Sequence, residues 1–186
     1  MQDQVIREFE DKAHHAIDAL RTALTRIRTG RANLSMLDSV RVDYYGSKVP
    51  LNQVATLSIA DPRLITIKPF ERGIAQEIEK ALRANSDLGI TPQSDGEKIL
   101  LPIPALTEER RREFTKVAKN KVEEAKISIR NARRDSNEHT KKLEKDGGLP
   151  EDDAKKLLDR IQKLTDEYVK QIEEILSKKE KEIMEV

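Results

Sequence analysis

Cysteine is absent from this 186-residue chain, and aromatic residues make up only 3% of it. Without cysteine there is no disulfide framework, no thiolate nucleophile and no cysteine metal cluster, a composition that fits a reducing compartment. So few rings exclude a broad aromatic core. No apolar run approaches the length needed to cross a bilayer. The start, MQDQVIREFEDK, lacks both the apolar centre of a signal peptide and the acid-poor character of an organellar presequence. A cytoplasmic protein is therefore expected. An excess of charge of one sign is missing as well: 35 Lys and Arg meet 34 Asp and Glu, for a formal net charge of +1. Bulk attraction to nucleic acid or to a membrane is not encoded, so electrostatic recognition has to come from local patches.

What the chain has in abundance is charge of both signs, 37% of its residues, arranged at helical spacing. Ile6, Phe9, Ala13, Ala16, Leu20, Ala23 and Ile27 recur at intervals of three and four, which places them on one face of a helix that Gly30 could end. A second pattern follows Thr107, a good N-cap, with Glu108 and Glu109 at the positive end of the helix dipole. Its stripe runs through Phe114, Ala118, Val122, Ala125, Ile129, Ala132, Ser136, His139 and Leu143, and it breaks at Asp146-Gly147-Gly148. A third begins at Pro150, the expected first helical position, and continues through Ala154, Leu157, Ile161, Leu164, Tyr168, Ile172, Ile175 and Ile183. Narrow stripes on helices this long fit an elongated antiparallel three-helix bundle.

Between the first two helices the spacing changes. Val40, Val42 and Tyr44 alternate with polar residues before a hairpin turn expected at Gly46-Ser47. Ala55, Leu57 and Ile59 alternate up to a turn at Asp61-Pro62, and a β-rich run follows from Leu64 to Ile67. Helical spacing returns over 73–84, and Ile99 to Leu101 reads as a short last strand. The fold class is thus α+β: residues 1–30 and 105–186 form the bundle, and residues 31–104 form a small α+β domain inserted into it. Both chain crossings fall together, near Gly30 and Arg31 on the way out and near Pro102, Ile103 and Pro104 on the way back, which makes these five residues a candidate hinge. In the insert, Leu34, Met36 and Leu37 are expected in the core, and Tyr44 and Tyr45 on opposite strand faces.

One stretch departs from the charge balance. SIRNARRDSNEHTKK, Ser128 to Lys142, holds six basic side chains, His139 included, against two acids, Asp135 and Glu138. On a helical wheel Arg130, Arg134, Asn137 and Lys141 cluster, with Lys126 and Arg133 at one margin. Arg112, Lys116 and Lys119 extend the row and Glu123 interrupts it. Bundle helices commonly carry charged outer faces. Here arginine stands at the centre, where lysine would serve solvation equally well, and a guanidinium offers a planar fork to phosphate oxygens. A rod with such a row can read the shape and backbone of folded RNA, and without interleaved aromatics it is not built to stack on unpaired bases.

IRTGRAN at Ile27 to Asn33, VDYYG at Val42 to Gly46, LTEERR at Leu106 to Arg111, RNARRD at Arg130 to Asp135 and KLTDEY at Lys163 to Tyr168 occur in one order along the chain. Together they resemble bacterial ribosome recycling factors over essentially the whole length, although Leu34 stands where many relatives carry a proline. The resemblance implies an L-shaped protein with a flexible hinge whose helical domain lies on large-subunit ribosomal RNA. It implies elongation factor G as a partner, with GTP hydrolysed by that partner to separate the subunits after termination. By motif, Arg133 is the first RNA contact to carry over, followed by Arg130 and Arg134. A monomer is expected, with no cofactor and no membrane partner.

Other chemistry finds little purchase. His14 and His15 are adjacent and diverge by about 100° on a helix, so they cannot easily share a metal, and no metal site is expected. Ser39, Ser47 and Ser58 lack a nucleophile-elbow context, and Asp146-Gly147-Gly148 lacks the spacing and lysine of a P-loop. No catalytic group is assigned and the chain is not expected to be an enzyme. From a different class, a coiled-coil adaptor or chaperone-like helical protein is the alternative function.

Overall fold

The structure, a computed structural model, describes residues 1–85 and 88–185. The chain separates into two compact units, one of Met1–Arg28 with Glu108–Glu185 and one formed by the inserted segment Thr29–Thr107.

The first unit holds three helices: α1 (Gln2–Thr25), α3 (Glu108–Lys145) and α4 (Glu151–Met184). At about 1.5 Å rise per residue they span roughly 36, 57 and 51 Å. The face α3 buries is narrow and made of small residues. Ala118, Ala125 and Ala132 recur every seven positions, Val122, Ile129 and Ser136 follow the same interval, and all are buried. Alanine at every seventh position lets α1 and α4 approach closely, and sustained heptads are how long helices keep one seam against their neighbours. His139, expected next on the stripe, is displaced: Thr140 is buried there instead, while the His139 side chain is partly exposed with Nδ1 3.5 Å from Glu8. The cause is drift. A helix of 3.6 residues per turn slips by about 20° per heptad, so after three heptads the inward position passes from one residue to the next. Thr140 and Thr165 tolerate burial because each hydroxyl donates to the carbonyl four residues back, Ser136 and Ile161, at 2.8 Å.

Helix ends differ slightly from expectation. The first helix stops at Thr25, before Gly30, which lies further on with φ +74°. Pro150 precedes α4 as its cap residue and does not occupy its first turn. The α3–α4 connection behaves as the glycines suggest: Gly147 takes φ +73°, and the Gly147 and Gly148 amides donate to the carbonyls of Glu144 and Leu143.

The second unit contains the hairpin β1 (Arg41–Tyr44) and β2 (Ser47–Pro50), then β3 (Ala55–Asp61), β4 (Leu64–Pro69), α2 (Ala75–Ala84), β5 (Gln93–Ser94) and β6 (Ile99–Pro102). The last four strands form an antiparallel sheet in the order β3-β4-β6-β5. Alternation decides which face is covered: Ile65 and Ile67 of β4 and Ile99 and Leu101 of β6 are fully buried, together with Val42, Ile78 and Leu82. Leu37 joins this core, with Leu34 and Met36 packed at its edge. The first hairpin turns one residue earlier than expected, at Tyr45-Gly46, with φ of +46° and +85°, and Ser47 already belongs to β2. Positive φ at both central residues matches the twist of a two-residue hairpin. Tyr45 is therefore on the turn and 81% exposed, yet its hydroxyl and that of Tyr44 both donate to Glu71, at 3.1 and 3.0 Å.

Of the five expected hinge residues, two are fastened into the second unit. Pro102 pairs with Leu64 at the end of β6, and Ile103 is buried with its amide donating to Arg63 O at 2.8 Å. Gly30, Arg31 and Pro104 lie outside the regular elements. Outgoing and returning chains share one anchor, since the Ala32 amide donates to the neighbouring Pro62 carbonyl at 2.6 Å.

Candidate nucleic-acid interface

All six residues singled out for RNA binding lie within 16 positions of α3, which presents them at fixed helical spacing. Arg130, Arg134 and Lys141 are exposed. Among the described residues none of the three makes a side-chain hydrogen bond or an ion pair; Arg134 acts only at a distance, as a minor contributor to the lowered pKa of Asp135. The main cause of that lowering is Lys12 of α1, whose Nζ donates to Asp135 at 2.7 Å. Asp135, one of the two acids in the basic stretch, is thus turned toward α1 and occupied there.

Lys126, Arg133 and Asn137 are only partly exposed. The expectation that the basic row points nearly opposite to the apolar stripe is corrected for this margin, which runs along α4. Lys126 Nζ lies 3.2 Å from Glu173 and 3.7 Å from Glu123, and its side chain keeps 16% exposure. One heptad earlier, Lys119 lies 3.6 Å from Glu180. Lys119, Lys126 and Arg133 recur every seven residues on α3, and Asp166, Glu173 and Glu180 every seven on α4, so in the antiparallel pair the two series meet as rungs. The third rung differs from the other two. Arg133 Nη1 donates to the neutral amide oxygen of Gln162 at 3.0 Å, while the Gln162 nitrogen donates to Asp166 at 2.9 Å. Asn137 Oδ1 is enclosed with no hydrogen-bond partner among the described residues.

Toward the N-terminus of α3, Arg112 pairs with Glu108 within the helix and stays largely exposed. Sequence reasoning missed two features. Gln162 and Asp166 sit in a different helix, and only the complementary heptads of acids on α4 and bases on α3 could have signalled them. Ile127 is 51% exposed one turn before Arg130 and two turns before Arg134, an apolar side chain on the cationic face that an average over the helix conceals.

Among the described residues no group of three or more potential metal ligands converges. His14 is engaged otherwise, with Nε2 3.0 Å from the Tyr168 hydroxyl and the two rings edge to face. Among the described residues no helix is long and apolar enough to cross a membrane.

The model of one protein family, described as ribosome recycling factor, matches residues 20–184. The chain belongs to the ribosome recycling factor family. Ribosome-recycling factors of Clostridioides difficile (strain 630) and Symbiobacterium thermophilum are 52% and 48% identical to it over 186 residues, with both chains covered completely. A solution structure of a ribosome recycling factor superposes with a TM-score of 0.76 at 36% identity, covering 100% of this chain and 98% of that one. A second ribosome recycling factor, that of T. thermophilus, matches with a TM-score of 0.65 at 37% identity; it is described together with E. coli elongation factor G bound to the E. coli post-termination complex. Full-length kinship to ribosome recycling factors sets aside the adaptor alternative. Ribosome recycling factors are translation factors and not enzymes.

Proposed function

We infer that the protein binds the post-termination ribosome as a monomer in the cytoplasm, with the exposed cations of α3 lying on large-subunit ribosomal RNA. Elongation factor G and its GTP hydrolysis then drive the subunits apart, releasing the ribosome from messenger RNA. The observation that carries this reading is an asymmetry of charge. Lys119, Lys126 and Asp135 are engaged by contacts between helices, whereas among the described residues Arg130, Arg134 and Lys141 form no ion pair and Arg133 is held by a neutral amide. Unanswered guanidinium groups along one straight helix suit regularly spaced phosphates, which bind them by charge-assisted forks. The first unit stays docked while the second is moved, and Gly30, Arg31 and Pro104 are the positions that take up the motion.

The test is binding of Arg133→Ala to purified large subunits. Loss of one charge-assisted contact is expected to cost about 1.5–3 kcal/mol and to reduce the slope of log affinity against log salt by about one. Helix content should be unchanged. Wild-type affinity and slope in this variant, and in Arg130→Ala with Arg134→Ala, would return the row to an ordinary solvated face.

A further inference from the structure

The three rungs between α3 and α4 are chemically unequal. At two of them a lysine ammonium meets a glutamate carboxylate, Lys126 with Glu173 and Lys119 with Glu180. Such a pair neutralises itself and leaves little for a third party. At the remaining rung the base is an arginine and the group facing it is an amide. Asp166 is the acid that the α4 heptad supplies to this rung, but its oxygen is occupied by the Gln162 nitrogen.

We propose that Gln162 of α4 is a positioning residue for ribosomal RNA binding, orienting the Arg133 guanidinium through one N–H while leaving its charge unneutralised. The inference rests on the reading of Arg133 as an RNA contact. Hydrogen-bond chemistry fixes the direction of the relay. An ionised carboxylate can only accept, so Asp166 requires the amide nitrogen of Gln162 to face it, and the amide oxygen is thereby turned to Arg133. One of the five guanidinium donors is spent on that oxygen and the others stay available. A glutamate in place of Gln162 would do the opposite, since carboxylate and guanidinium form a bidentate pair that competes directly with a phosphate. The amide therefore supplies order without neutralisation, and Asp166 supplies the orientation of the amide from one side chain away. Lysine would not exploit this arrangement, because a rotating ammonium has no planar fork to aim.

The discriminating experiment uses Gln162→Glu, Gln162→Met and Arg133→Ala in the full chain, each measured for affinity to purified large ribosomal subunits across a salt series and for its urea unfolding midpoint. Gln162 is exposed and Arg133 partly exposed, so all three variants are expected to fold. Gln162→Glu gains an ion pair with Arg133 but sets two carboxylates side by side at positions 162 and 166, so its urea midpoint should shift little. It should nevertheless bind at least about fivefold more weakly and lose close to one from the salt slope, because a formed ion pair withdraws one phosphate contact. Gln162→Met keeps the shape and loses the acceptor; it should bind about two- to fivefold more weakly with the slope intact, since the charge remains. Adding Gln162→Glu to Arg133→Ala should cause no further loss.

If Arg133→Ala weakens binding while Gln162→Glu binds like the wild type, the positioning role is overturned and the RNA contact stands. If Arg133→Ala itself binds like the wild type, the reading beneath the proposal falls first. A further loss from Gln162→Glu in the absence of Arg133 would also overturn the proposal, because the new carboxylate would then be repelling RNA directly.

Discussion

Exchanging the two charges of the central rung asks what Lys126 is for. Its ammonium stands 3.2 Å from Glu173 and 3.7 Å from Glu123. In a water-like medium each contact is worth about 1 kcal/mol of Coulomb attraction, and ordering and salt reduce an exposed pair to about 0.2–1 kcal/mol. Because the Lys126 side chain is mostly covered while Glu173 is not, the upper end of that range applies. Lys126→Glu removes the attraction and sets a third carboxylate among two others, so a loss of about 2 kcal/mol is expected. Glu173→Lys alone should cost about 1 kcal/mol. The double variant restores an opposite-charge pair in reverse and should recover all but about 0.5–1 kcal/mol, the shortfall being repulsion between Glu123 and the carboxylate introduced at position 126. The assay is urea unfolding followed by far-ultraviolet circular dichroism at low salt and at about 1 M salt, where the coupling should shrink. Subunit binding by the swapped variant supplies the functional half: it should stay near wild type, because the rung spends Lys126 on α4. If the double variant is no more stable than the sum of the singles, the ladder is incidental; if it is stable but fails to bind, Lys126 is an RNA contact after all.

Gly30→Ala should cost about 1–2 kcal/mol in urea unfolding, since φ is +74° and the added Cβ would sit 3.3 Å from Leu106 Cγ. Gly30→Asn should cost less because asparagine tolerates the left-handed region, and equal stability of all three proteins would refute the strain argument. Lys12, by hydrogen bond and charge, holds the Asp135 carboxyl below the usual range. A lowered folded-state pKa means that the contribution of Asp135 is present above the ordinary carboxylate pKa and is lost as pH falls through the folded value. Carboxyl titration by nuclear magnetic resonance should show the Asp135 midpoint moving up in Lys12→Met; an unchanged midpoint would remove Lys12 as the cause.

Much of the architecture is legible in the sequence because helical period survives tertiary context well. Ala118, Val122, Ala125, Ile129 and Ala132 fall on the apolar stripe by spacing alone, and all are buried. The departures are local and each has a cause. His139 continues a strict heptad past the point where drift hands the seam to Thr140. Gly30 reads as a helix end, although the helix has already stopped at Thr25 and the glycine serves a close approach to Leu106. Pro102 and Ile103 read as a link because prolines punctuate sequence, yet sheet pairing and a buried side chain bind them into the second unit. Strand alternation separates Tyr44 from Tyr45, but a two-residue turn at Tyr45-Gly46 lets both hydroxyls reach Glu71.

The candidate interface divides along the same line. Exposure of Arg130, Arg134 and Lys141 follows from a single helix and its wheel, and those positions are exposed. The environments of Lys126 and Arg133 depend on which residues α4 places opposite, and a wheel drawn for one helix contains no second helix. Composition nevertheless constrains the outcome. With 35 bases and 34 acids in one chain, a cation that lies beside a carboxylate is open to being paired within the protein. A cation kept for an outside partner must therefore be protected from its own protein's acids. Position on the exposed face does this for Arg130 and Lys141, which pair with no acid among the described residues. For Arg133, on the margin shared with α4, an interposed neutral group is needed to hold Asp166 off, and Gln162 stands in that place.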